Sequence, residues 1–222
     1  MENLIQSVLY FHAFSGAVAL ISGIVAIISK KGRKTHILSG KFYFWSMLSV
    51  IITGLIVGSY RGNLFLQLIA IFSFYMAFTG KQVLRNKKEF IVKPIDWGVN
   101  IISLMTGLFM LYLVIINIQK VGFAGVIPML LVFGFLLSWM AAEDLNKMRK
   151  KKFVKNDWLY THIGRMGGSF IATSTAFLLV NISFEPRWVV WLAPTAIGTP
   201  LIIAAIAKWK KKLEPKKVNS GI

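Results

Sequence analysis

The sequence predicts an all-helical integral membrane protein of seven transmembrane spans, with its amino end outside and its carboxyl end in the cytoplasm. Three observations lead there. Of 222 residues, 56% are hydrophobic and only 15% charged, at a mean hydropathy of +0.65, which a soluble domain of this size does not combine. Continuous apolar runs fall at 8–28, 37–60, 64–84, 97–117, 122–142, 158–181 and 188–207, and each has about the 20 residues that a helix needs to cross a ~30 Å hydrocarbon core. The basic residues, finally, collect on one side of those runs.

Barrel strands would show alternation over about ten residues, whereas these runs are apolar throughout, as helices must be where lipid offers the backbone no partner. The first run follows Met1-Glu2-Asn3, with no basic residue before it and Lys30, Lys31, Arg33 and Lys34 after it. That is the reverse of a signal peptide, so the segment reads as a retained span. Further basic loops follow the third run (Lys81, Arg85, Lys87, Lys88, Lys93), the fifth (Lys147 to Lys155) and the seventh (Lys208 to Lys217). Of the 26 lysines and arginines, only Arg61, Lys120, Arg187, Lys41 and Arg165 fall elsewhere. The positive-inside rule makes the rich side cytoplasmic. The +18 formal charge therefore reports topology, and no nucleic-acid partner is expected. Loops are short, giving one domain over 1–222 with a basic cytoplasmic tail at 209–222. Trp97, Trp158, Tyr160, Trp188 and Trp191 stand at span ends as an aromatic belt would.

Two runs carry small-residue faces that favour close helix packing, Gly16, Ala19, Gly23 and Ala26 in the first and Gly164, Gly168 and Ala172 in the sixth. Pro128, Pro194 and Pro200 lie within predicted spans, with the seventh the clearest candidate for a kink.

Function is best sought where ionisable residues enter the apolar runs, because they are costly there and mark sites or partners. With no cysteine, disulfides and thiolate chemistry are excluded. His36, Lys41, Glu143, Asp144, His162 and Arg165 all map to the cytoplasmic ends of spans two, five and six, whereas His12 lies near the outer end of the first, so a three-histidine metal site is not expected. His162, Arg165 and Ser169 share a helix face, and Arg165 needs a carboxylate, Glu143 or Asp144. Three readings compete with a purely structural ion pair. His36 and His162 suggest a b-type haem for electron transfer, although the sequence puts His36 at the start of its helix and His162 a turn deeper. Gln67, Asn100, Thr106, Asn117, Thr173 and Thr175 suggest the wall of a small-molecule or lipid pathway, with the proline-broken seventh span beside it. Acid–base work on a lipid is the third, but no nucleophile or metal spacing selects a reaction, so the chain leans away from an enzyme. A retinal Schiff base lacks its lysine in the last span. The bilayer is the certain partner, and a small molecule or lipid the expected ligand.

His36-x-x-x-Gly40-Lys41-x-Tyr43 after a basic loop, His162-Ile-Gly-Arg165-Met166 followed by Ile171-Ala172-x-x-Thr175-Ala176-Phe177 and Asn181, and Trp191-Leu-x-Pro194-Thr195 resemble an uncharacterised family of bacterial predicted multispanning membrane proteins, frequent in the Bacteroidetes lineage. The resemblance runs over nearly the whole chain. It implies a bacterial inner-membrane location and no established activity.

Overall fold

A computed structural model gives the fold and describes residues 2–151, 153–184 and 187–213. Lys152 and the tail residues 214–222, which carry part of the basic pattern, lie outside the described residues. Seven α-helices follow one another: α1 (Glu2–Ile28), α2 (Lys34–Tyr60), α3 (Leu64–Gln82), α4 (Pro94–Val121), α5 (Ile127–Lys150), α6 (Asp157–Asn181) and α7 (Arg187–Leu213). Each is long and apolar enough to cross a membrane, which makes this a multi-pass membrane architecture by length and composition. The start of the predicted tail, 209–213, belongs to α7.

The fifth boundary corrects the sequence reading. Hydropathy runs unbroken through 122–127, but Gly122 and Gly125 take left-handed φ of 67° and 58°, which glycine adopts without the Cβ penalty. Gly122 caps α4, and Pro128 sits in the first turn of α5 rather than inside it, where its missing N–H costs nothing. The helix consequently runs on to Lys150, and Glu143 and Asp144 lie within it instead of ending it.

Helix α3 is the axis of the bundle. Leu68, Phe72, Tyr75 and Met76, spaced to share one face, pack into a core with Met110 and Val114 of α4 and Ile127, Leu130, Leu137 and Ala141 of α5. Ala77 belongs instead to a second cluster with Ala19 of α1 and Tyr43, Met47 and Ile51 of α2. Lipid tails are as apolar as these side chains, so the association depends on close packing and polar contacts more than on escape from water. Small residues provide the closest approaches. A Cβ on Gly134 would stand 3.1 Å from the Gly107 carbonyl oxygen and 2.9 Å from Met110 Cβ, so α4 and α5 cross almost backbone to backbone. Of the predicted stripes, Gly23 packs against the Phe170 ring and Gly168 against Met76, whereas Gly16 faces open space.

Helix α7 is peripheral and docks mainly on α6. Trp191, expected as a belt anchor, lies with its ring centroid 5.7 Å from that of Phe65 and 6.5 Å from that of Phe133, and so ties α7 to the α3–α5 side. Pro194 and Pro200 are both inside α7.

Candidate functional site

The polar residues converge at one end of the bundle, called here the basic end because the loop after α1, the turn after α3 and the end of α5 bring their lysines and arginines there. Gly80, near the end of α3, makes the convergence possible. A Cβ on it would come 3.0 Å from Arg165 Cβ and 2.9 Å from Met166 Sδ, so its lack of a side chain lets α6 lie against α3. Its carbonyl is then open to the His162 ring, whose Nδ1 is 2.7 Å away.

One turn along, Arg165 is 7% exposed. Its Nη2 donates to Asp144 Oδ2 at 3.0 Å, the same oxygen that accepts the Tyr75 hydroxyl at 2.5 Å. The guanidinium carbon also lies 4.9 Å from the centre of the Tyr75 ring, within cation–π range. Three helices, α3, α5 and α6, are thus tied through one carboxylate oxygen. A charge-assisted pair of this kind is strong where water is scarce.

His36 is held in the same manner as His162. Its Nδ1 is 2.9 Å from the Ala26 carbonyl oxygen in the last turns of α1. A carbonyl only accepts, so Nδ1 of each histidine carries a proton and donates it. The two ring centroids are 6.3 Å apart, with ring planes at 86°. The sequence puts His162 a turn deeper than His36, yet the two rings lie side by side. Among the described residues the backbones of α2 and α6 do not pack directly. Side chains bridge the gap deeper in: the Tyr43 hydroxyl meets Ser169 Oγ at 2.8 Å and Thr173 Oγ1 at 3.3 Å. Tyr43→Phe should therefore lower stability by about 1–2 kcal/mol, since it strands the fully buried Ser169 hydroxyl; detergent-based thermal melting of the two proteins checks this.

The remaining sequence candidates separate from this cluster. Glu143 points away and pairs with Lys147 at 2.9 Å, its side chain 44% exposed. Lys41 is exposed and lines an open groove between α1 and α2 together with Lys34. His12 binds Thr53 at 2.8 Å, away from the cluster. The Thr106, Asn117 and Thr175 side chains donate to carbonyls one turn back in their own helices, which satisfies them without a pathway. Sequence reasoning missed Tyr75, Gly80, Arg85 and Asp96. Tyr75 was hidden because an apolar span with one tyrosine looks ordinary, although a tyrosine at the centre of a buried helix requires a partner for its hydroxyl.

No family model, curated protein or solved structure matches this chain.

Proposed function

We propose that the chain is a multi-pass protein of the bacterial inner membrane, amino end outside and basic end in the cytoplasm, belonging to the family that its histidine and arginine motifs resemble. Its site at the basic end is proposed to bind a cofactor, a b-type haem held between His36 and His162, for electron transfer. The observation that carries this reading is the 6.3 Å between the two imidazole centroids. At that separation the two imidazoles would be the side chains that hold the group from its two sides. Both rings are oriented from behind by a backbone carbonyl, the second-sphere arrangement that sets tautomer and basicity in histidine ligands. Among the described residues no three His, Cys, Asp or Glu side chains converge as a metal site, and His36 and His162 are the residues that would hold the group.

Gly40 lies one turn from His36 on the same face, and a Cβ there would meet nothing within 4 Å. Lys31 and Lys87 are near enough to act electrostatically on His162 and would complement carboxylate substituents. Bound haem would supply a one-electron couple. What the chain would contribute is two imidazoles, each held by a backbone carbonyl.

The structural alternative is favoured by the Arg165–Asp144–Tyr75 tie, which pins three helices whether or not a ligand binds. The transport alternative is weakened at the place where it was expected. A Cβ on Gly198 would come within 2.5 Å of Ile171, and one on Gly167 within 2.7 Å of Ile202, so α6 and α7 are tightly packed around Pro200.

The test is the visible spectrum of protein purified from haem-replete cells, oxidised and then reduced with dithionite. A Soret band with sharp reduced bands, abolished by His36→Ala and by His162→Ala, is expected. A colourless native protein would remove the haem reading and leave the structural one.

A further inference from the structure

A second polar feature opens at the basic end beside Asp144, and the proposed haem does not explain it. The turn Val83–Lys87, the start of α4, the end of α5 and the start of α6 enclose a cavity of about 80 Å³. Arg85, Asp96, Asn100, Asp144 and Met148 are among its walls. Asp96 Oδ2 takes both the Arg85 guanidinium and, at 2.7 Å, the Lys93 backbone N–H, and the Asn100 amide donates to the Asp96 carbonyl at 2.8 Å and to Met148 Sδ at 3.6 Å. Their remaining atoms are left over. Asp96 Oδ1, Asn100 Oδ1 and Arg85 Nε are all buried without a hydrogen-bond partner, and Asn100 as a whole is only 3% exposed.

Native proteins seldom leave such groups unmatched. Two orphan acceptors and one orphan donor on residues that share this wall would be matched by an occupant that both donates and accepts, as water does, once it reached them. At ~30 Å³ per water in the liquid, the cavity has room for about two or three waters. Its cations are already paired, Arg85 with Asp96 and Lys147 with both Glu143 and Asp157, so no anionic ligand is required.

We infer that this space is a water-filled vestibule through which Asp144 exchanges protons with the solution at the basic end. Asp144 forms part of the cavity wall while its Oδ2 holds Tyr75 and Arg165. The step is a transfer from a hydronium in the vestibule to the Asp144 carboxylate, leaving water and a neutral carboxyl, with the reverse on deprotonation. The groups that face Asp144 and govern this exchange are Tyr75 from α3, Arg165 from α6 and Glu143 and Lys147 from α5, with Arg85, Asp96 and Asp157 along the cavity. Protonation would leave Arg165 without its counter-charge, so the vestibule couples the solution to the helix tie. The inference does not rest on haem binding.

Hydrogen peroxide, polar and close to water in size, tests the hydration. It transfers one oxygen to a thioether and leaves as water. Met148, 7% exposed, lines the vestibule, whereas Met76, 8% exposed, packs in the α3–α5 core. In full-length protein in detergent, Met148 should become sulfoxide roughly fivefold faster than Met76, and Thr161→Trp, which puts an indole at the vestibule wall, should bring the two rates together. Equal rates in the native protein would overturn the hydration. Infrared difference spectra between about pH 4 and pH 9 test the exchange: a carboxyl C=O band that shifts in D₂O and vanishes in Asp144→Asn is expected. Should that variant not fold, Asp144→Glu must move the band instead. A band set identical in native and variant protein, or one unmoved by D₂O, would mean a sealed ion pair and defeat the proposal.

Discussion

Arg165→Ala is expected to destabilise the folded protein by about 3–5 kcal/mol, the range for removing one partner of a buried ion pair. The loss comes less from the contact than from what stays behind. Asp144 would remain with the Tyr75 hydroxyl on the same oxygen and without the guanidinium that stood 3.0 Å away. Denaturation of detergent-solubilised protein by sodium dodecyl sulfate measures the effect. The paired replacement Arg165→Met with Asp144→Leu should recover most of the stability, because no unpaired charge is then buried. If Arg165→Ala alone costs under ~1 kcal/mol, as exposed pairs do, the pair is solvated and does not pin the helices.

Gly107→Ile is the second large effect. A Cβ at Gly107 would stand 2.8 Å from the Ser138 backbone nitrogen and 3.0 Å from the Gly134 carbonyl oxygen, as well as against the Ser138 hydroxyl. Backbone atoms cannot swing aside, so α4 and α5 must part along their crossing, and the core around Met110 and Leu137, both fully buried, loses contact. Overpacking of this kind costs about 1–3 kcal/mol, occasionally more, and the branched chain places this variant at the upper end. Gly16→Ala is the matched control. Nothing lies within 4 Å of that position, and alanine is favoured over glycine in a helix by up to ~1 kcal/mol, so its midpoint should be unchanged or raised. Equal destabilisation by the two variants would refute the close α4–α5 crossing.

The contrast between these glycines also shows where sequence stopped being informative. Gly16 and Gly23 lie two turns apart on one predicted face, yet only Gly23 meets another helix. Gly107 and Gly134, the tightest crossing, belong to no stripe. Helix period states which residues share a face, but it does not state which neighbour that face meets. The candidate site divides the same way. His36, His162 and Arg165 could be found because ionisable groups are conspicuous in apolar spans. Tyr75 and Gly80 were silent, since an aromatic and a glycine are ordinary there, and Asp96 looked like a loop residue ahead of the fourth span. Glu143 and Asp144 were indistinguishable as neighbours. Only the rotation of α5 sends one to Arg165 and the other to Lys147.

By itself the sequence determined that seven helices of spanning length form and that basic residues flank them, because both follow from local composition measured against the thickness and electrostatics of a bilayer. Tertiary structure alone decided that α3 is the axis, that the rings of His36 and His162 meet at 6.3 Å, and that Arg165, Asp144 and Tyr75 share one oxygen. Those are distances between helices far apart in the chain. They are set by side-chain packing and hydrogen bonding among helices that lipid solvates about equally well on every apolar face, so hydropathy carries little information about which faces are brought together.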